Sequence, residues 1–218
     1  ALLFWSVLYF SISKVRQLRQ TSKLLKSSQL DALKNQLNPH FLFNAINNIR
    51  ALILEDPGGA REMLARLADM LRYSLSKDDK SKVTLSAELA IVNEYIALCS
   101  IQFEERLRFS VNAPVRCQQA LVPKLLLQLC VENAIKHGIS TEVAGGSIDV
   151  TVSCSDTMLH IIISNDGKLD LNVKRPGVGL QNIRQRLTLL YPDCRDTGLA
   201  LQSEHNKVKT HIRLPLEF

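Results

Sequence analysis

A histidine beside a proline, in Leu37-Asn38-Pro39-His40-Phe41-Leu42-Phe43-Asn44, is the first place where residue type and spacing invite chemistry. The imidazole of His40 can act as a nucleophile near neutral pH. Pro39, lacking an N–H and clashing with the carbonyl four residues back, predicts a kink beside it. Alone, the stretch fits a half-buried structural histidine better than a reactive one. A second constellation is Glu132-Asn133-Ala134-Ile135-Lys136-His137-Gly138. Asn133, Lys136 and His137 stand at i, i+3 and i+4 and share one helix face. An amide oxygen suits Mg²⁺ and the two cationic groups suit phosphate, so together they could hold a metal-bound polyphosphate; the plain alternative is a polar helix end in solvent. Ser164-Asn165-Asp166-Gly167 closes an apolar strand, where a short polar side chain can read the edge of a purine. Pro176-Gly177-Val178-Gly179-Leu180 opens a helix, where glycines let backbone N–H groups approach phosphate. There is no third glycine and no Gly-x-x-x-x-Gly-Lys-Ser/Thr, which argues against a dinucleotide fold and a P-loop.

The elements around these residues are legible from periodicity. Leu30 to Leu54 reads as a helix whose Leu33, Leu37, Phe41, Ala45, Ile49 and Leu52 form one stripe. Asp56-Pro57-Gly58-Gly59 is a stop and turn. Ala60, Met63, Leu64, Leu67, Leu71 and Leu75 make a second amphipathic helix. The two form an antiparallel hairpin with more apolar surface than a hairpin can cover, which predicts a four-helix bundle with a second copy. Lys77-Asp78-Asp79-Lys80-Ser81-Lys82 is solvated and marks a domain boundary. Beyond it, Ser86 to Glu104 reads as a helix capped by Ser86 with an early Glu88. Pro123 to Gly138 reads as a helix started by proline and stopped by glycine. Strands are expected at Leu107–Val111, Ile148–Cys154 and Leu159–Ser164, with a hairpin of Leu199–Leu201 and Val208–Leu214 turning at Glu204-His205-Asn206-Lys207. A helix at Leu180–Leu190 lies between. A polar-out sheet with about three helices on its other face is a two-layer α/β sandwich, making the whole chain α+β.

Composition sets the frame. The chain has 218 residues, 46% hydrophobic and 22% charged, as globular proteins do. Of the net charge of +6, five positive residues (Lys14, Arg16, Arg19, Lys23, Lys26) precede the first acid, Asp31, so the remainder is close to neutral. That local cluster argues against a nucleic-acid partner. Cys99, Cys117, Cys130, Cys154 and Cys194 are odd in number and form no Cys-x-x-Cys pair, which predicts neither zinc site nor disulfide framework and a reducing compartment. Ala1 to Ile12 is almost wholly apolar and runs into the Lys/Arg cluster. This reads as the cytoplasmic end of a transmembrane helix whose start lies upstream, with residues from about 13 onward in the cytoplasm. Ser13 to Gln36, free of Gly and Pro, reads as a connecting helix.

With these motifs in order, the chain resembles the cytoplasmic part of sensor histidine kinases of the LytS/YehU type, from about Leu30 to Leu216. Asn38-Pro39-His40-Phe41-Leu42-Phe43-Asn44 is similar to the histidine box of that family. Pro123-Lys124-Leu125-Leu126-Leu127-Gln128 running into Glu132–Gly138 is similar to its asparagine box, and Gly177-Val178-Gly179-Leu180-Gln181-Asn182-Ile183-Arg184-Gln185-Arg186-Leu187 to its second glycine box. The resemblance implies a transmembrane end at 1–12 in the inner membrane of a bacterium, a signalling helix at 13–36, a dimerisation and phosphotransfer hairpin at 37–78, and an ATP-binding domain of the GHKL (Bergerat) type at 79–218. It implies a homodimer that uses ATP and Mg²⁺ to phosphorylate His40 and passes the phosphoryl group to a response-regulator aspartate. Asn133 would be the Mg²⁺ ligand, with Lys136 and His137 on phosphate. Asn165, Asp166 and Gly167 would line the adenine site, and Gly177, Gly179, Leu180 and Asn182 the hinge and phosphate side of the lid. Three departures stand out: Asn165 where the wider superfamily has an aspartate, Leu169 at the usual second glycine, and Phe41 where many kinases carry an acid. Glu132 and Asn44 are then the candidate bases for His40. The same departures are what a pseudokinase scaffold, the competing reading, would show.

Overall fold

The computed structural model describes residues 39–75, 81–103, 106–141, 144–167, 178–194 and 196–218. The expectations for 1–12, for 13–36, for the chain on the N-terminal side of Pro39, for the domain boundary over 77–80, and for Leu169 and Gly177 lie outside them. Among the described residues, no helix is long and apolar enough to cross a membrane.

Helix α1 (Pro39–Glu55) and helix α2 (Pro57–Leu75) are joined by Asp56 alone. The turn expected over four residues is tighter because Pro57, Gly58 and Gly59 already form the first turn of α2. Proline fits that position, where no N–H partner is needed. Asp56 Oδ1 accepts from the Gly59 N–H at 3.0 Å and so caps the helix. The expected stripes are buried in part: Ala45 and Ile49 on α1 and Ala60, Met63 and Leu67 on α2 are buried, joined by Met70, while Phe41, Leu52 and Leu71 are half-buried and Leu64 and Leu75 are exposed.

A short strand, β1 (Lys82–Thr84), leads into α3 (Leu85–Phe103). The cap of α3 is Thr84 and not Ser86, since Thr84 Oγ1 accepts from the Ala87 N–H at 3.3 Å. After β2 (Leu107–Asn112), strand β3 (Leu121–Pro123) pairs antiparallel with β1. Pro123 therefore ends a strand and does not start a helix. Leu125 adopts a left-handed conformation, φ 65°, and α4 begins after it (Leu126–His137). Three-residue strands carry too little alternation to be read from sequence.

Strands β4 (Gly146–Cys154) and β5 (Met158–Asp166), helix α5 (Val178–Leu190), and strands β6 (Gly198–Glu204) and β7 (Lys207–Pro215) complete the chain. The sheet order is β2-β4-β5-β7-β6, with β2 parallel to β4 and the other pairs antiparallel. Residues of one parity, Ile148, Val150, Val152, Leu159, Ile161, Ile163, Ile212 and Leu214, are buried against the helices. Their polar neighbours face the other way, as the alternation predicted. His205 and Asn206, both at positive φ, make the tight β6–β7 hairpin turn, which Asn tolerates. This is the α+β, two-layer architecture expected.

A further expectation, that the cysteines form no disulfide, is corrected. Cys117, after β2, and Cys154, at the end of β4, are joined by a disulfide with Cα atoms 6.1 Å apart. The two are 37 residues apart in sequence and meet only because β4 lies beside β2, a neighbourhood that cysteine spacing does not reveal.

Candidate functional site

The site forms where the C-terminal end of α4 meets the C-terminal end of β5. Asn133 is half-buried while Lys136 and His137, one turn on, are exposed. Partial burial, with the neighbouring Lys136 charge adding to it, pushes the His137 imidazole below its usual range. Two glycines press helix and strand together. A Cβ on Gly138 would lie 2.6 Å from the Asp166 carbonyl oxygen and 2.7 Å from that of Ala134. Gly167 stands at φ 139°, and its Cβ would lie 3.2 Å from Gly138 Cα. Only glycine allows that conformation and that approach.

Asn165 is buried at the strand end, and its Nδ2 donates to the Asp166 carbonyl oxygen at 2.9 Å. The amide is thereby oriented, with Oδ1 as its acceptor end. Asp166 points to the opposite side of the strand. Its Oδ2 accepts from the Ser147 N–H at 2.7 Å and hydroxyl at 2.8 Å, and Lys207 Nζ lies 3.8 Å from Oδ1. Slight burial works against the charge, but the Ser147 bonds, Lys207 and Arg108 prevail and hold the carboxyl below its usual range. The structure thus packs the His137–Gly138 end of α4 against Asn165 and Gly167, with Asn133 and Lys136 on the same helix, while the Asp166 side chain braces the sheet.

From α5, Leu180 is buried and Gly179 and Asn182 are exposed. A Cβ on Gly179 would meet nothing within 4 Å, so protein packing does not require the glycine. Its absent side chain leaves room for another molecule to approach the backbone. His40 is the second residue of α1. Next to it, the Phe41 ring lies 4.8 Å from that of Tyr95 on α3, tilted 44°. Burial drives the Tyr95 hydroxyl well above its usual range, with Cys99 and the charge of Glu132 adding to the effect. Glu132 therefore sits on the side of α4 that faces α3.

The sequence reading missed Glu88. Read only as an early acid of its helix, it is 0% exposed. Its Oε1 accepts from the Tyr73 hydroxyl at 3.0 Å and the Leu125 N–H at 2.6 Å, and its Oε2 from the Leu127 N–H at 3.0 Å. The available signal was a lone acid among Leu85, Leu89 and Val92, a pattern equally consistent with an ordinary first-turn charge.

A five-stranded mixed sheet with helices on one face, an asparagine-bearing helix ending against a strand, and a helical hairpin leading in make up the fold of histidine-kinase catalytic regions with a GHKL-type domain. The histidine kinase family model matches residues 28–107. Sensor protein LytS of Staphylococcus haemolyticus is 31% identical over 218 residues, covering 94% of this chain and 37% of the relative. Sensor histidine kinase/phosphatase LytS of Staphylococcus aureus is 37% identical over 149 residues, covering 67% of this chain and 25% of the relative. Among solved structures, the histidine kinase domain from the blue-light activated kinase of Erythrobacter litoralis aligns at TM-score 0.50 and 18% identity, covering 86% of this chain and 93% of that one. The catalytic domain of histidine kinase ThkA aligns at TM-score 0.50 and 17% identity, covering 62% and 94%. These two show the fold. Over the region it spans, the chain is similar to the LytS sensor proteins and, at its N-terminal end, matches the histidine kinase family model. It covers little more than a third of the length of the S. haemolyticus relative.

Proposed function

We propose that the chain is the kinase region of a two-component sensor, in which the His40 imidazole takes the γ-phosphoryl group of ATP and later yields it to a response-regulator aspartate. The observation that carries this reading is the close packing of the C-terminal end of α4, the helix that bears Asn133, Lys136 and His137, against Asn165 and Gly167 at the end of β5, on a chain whose hairpin includes His40. Asn165 Oδ1 accepts from the adenine amino group, while Lys136 and His137 hold phosphate oxygens. The N–H groups at Gly179 and Leu180 close over the phosphates. The donor set fits Mg²⁺: one amide oxygen from Asn133, beside cations, suits a hard ion that draws its other ligands from phosphates and water. Bound there, it would neutralise charge on the phosphates. His40 must reach the γ-phosphorus in line, so hairpin and catalytic domain must move relative to each other. Glu132, on the α3-facing side of α4, serves as the base for the imidazole proton.

A homodimer is part of the proposal. Phe43, Ile46 and Ile53, spaced along one side of α1, are exposed, as are Leu54 and, on α2, Leu64 and Leu75. A second hairpin covers them as a four-helix bundle. The division at 78/79 and anchoring through 1–12 in a bacterial inner membrane belong to the same reading.

The test is a time course of ADP formation in excess MgATP. Autophosphorylation gives a burst that stops near one ADP per chain and is absent in His40→Gln. Steady ADP release unaffected by that substitution would mean an ATPase, and neither ADP nor phosphoprotein would mean a scaffold.

A further inference from the structure

The buried Glu88 carboxylate is not used by the chemistry above, yet three motif-bearing elements converge on it. From α2, the last helix of the hairpin, the Tyr73 hydroxyl donates at 3.0 Å. From the start of α4, the Leu125 and Leu127 N–H groups donate at 2.6 and 3.0 Å. From α5, Arg186 donates to the carbonyl oxygens of Lys124 at 2.5 Å and Ser81 at 3.1 Å. Burial holds the Glu88 carboxyl above its usual range, against the opposing pull of its three hydrogen bonds and the Arg186 charge. The Lys124 ammonium lies 4.8 Å from the centroid of the Tyr73 ring.

Two features make this junction more than an incidental cap. Leu125 is held at φ 65° and ψ 11°, a region that bulky side chains rarely occupy, and that geometry turns the N–H groups at 125 and 127 onto one carboxylate. Tyr73 and Glu88 also form the buried end of a seam between α2 and α3. Arg66 pairs with Glu94 at 2.5 Å two turns away, where the two side chains are 34% and 37% exposed and the pair is correspondingly weak. The α4 helix has 12 residues, roughly 18 Å at 1.5 Å per residue. A shift at its bonded end is carried to Asn133, Lys136 and His137 at the other, because a packed helix moves as a unit.

We propose that Glu88 is a positioning residue, clasping Tyr73 of the hairpin to the start of α4, so that the hairpin and the nucleotide site respond to each other through this one buried carboxylate. The inference rests on the nucleotide reading above. It gives Tyr73 the role of reporter: nucleotide held at the far end of α4 tightens the clasp, and movement of α2 loosens it.

Hydrogen exchange on the whole chain, with and without MgATP, tests this in wild type and Tyr73→Phe. Phenylalanine keeps the ring beside Lys124 and removes only the hydroxyl. In wild type, MgATP should slow exchange in α4 and, by at least about five-fold, around Tyr73 in α2, the lower end of usual coupling between linked sites. In Tyr73→Phe the α4 response and the MgATP-induced rise in melting temperature should remain while the α2 response is lost. Glu88→Gln, which turns one acceptor into a donor facing N–H groups, should lose it too. A merely structural bond would lower protection in α2 equally with and without nucleotide. An α2 response retained in Tyr73→Phe, or absent from wild type while α4 responds, overturns the clasp alone. No effect of MgATP on α4 or on melting temperature overturns the nucleotide reading and the clasp with it.

Discussion

At the scale of single residues, the informative substitution in this chain is Asn165 where the wider superfamily has an aspartate. The buried Asn165 amide donates from Nδ2 to the Asp166 carbonyl oxygen. A carboxylate there would gain charge toward an adenine amino group but lose that donor and face a carbonyl. Asn165→Asp should therefore cost about 1–3 kcal/mol in the absence of nucleotide, read from the denaturant midpoint. An unchanged midpoint would show that the bond contributes nothing. His137 gives a pH signature. Its imidazole titrates below its ordinary range, held there by partial burial and by Lys136. Protonation adds a cation next to phosphate, so MgATP affinity should strengthen as pH falls through that titration. The sign follows from linkage: the bound state takes up the proton more readily than the free one. ATP titrates in a similar range, so the measured quantity is the difference between wild type and His137→Gln, and identical pH profiles would remove His137 from the phosphate site.

At the scale of elements, most of the architecture was legible, for a physical reason in each case. The α1 and α2 stripes, the alternation in β4 and β7 and the hairpin turn each repeat a period long enough to read. What was not legible depended on contacts distant in sequence. The β1–β3 pair moved Pro123 from helix start to strand end. The left-handed Leu125 and the buried Glu88 depend on each other across 37 residues, and the Cys117–Cys154 bond on β4 lying beside β2. Of the site, the motifs pointed to the end of α4 and the end of β5, which pack together at Gly138 and Gly167, while the opposite-facing Asp166 side chain emerged only from the pairing of β5 with β4. The closest packing in the site is between α4 and β5. Gly138→Ala would drive a Cβ into the backbone oxygens of Asp166 and Ala134, so we expect a loss of about 1–3 kcal/mol, as for overpacked cores. The same change displaces Asn165, so MgATP should no longer raise the melting temperature. Retained stability together with retained MgATP response would contradict the close fit.

At the scale of the whole molecule, the hairpin carries His40 and, in the homodimer proposed above, is the face that meets a second copy. Its exposed stripe lies on the side of α1 away from Ala45 and Ile49, so one helix serves the internal core and the dimer together. Charges introduced as Ile46→Glu with Ile53→Glu should leave the fold intact and convert the chain to a monomer in sedimentation. A dimer unaffected by both changes would place the interface elsewhere. The Phe41–Tyr95 contact and the Tyr73–Glu88 bond hold this same hairpin against α3, so the proposed phosphorylation of His40 would require those contacts to be remade.

The central claim is that the phosphoryl group ends on the imidazole of His40. The most direct measurement is to incubate the whole chain with γ-labelled ATP and Mg²⁺, establish the acid and alkali stability of the label, and map it by mass spectrometry. The account predicts an acid-labile, alkali-stable label confined to the peptide containing His40 and absent from His40→Gln. Label on a serine or threonine, or a label that persists in His40→Gln, would contradict it.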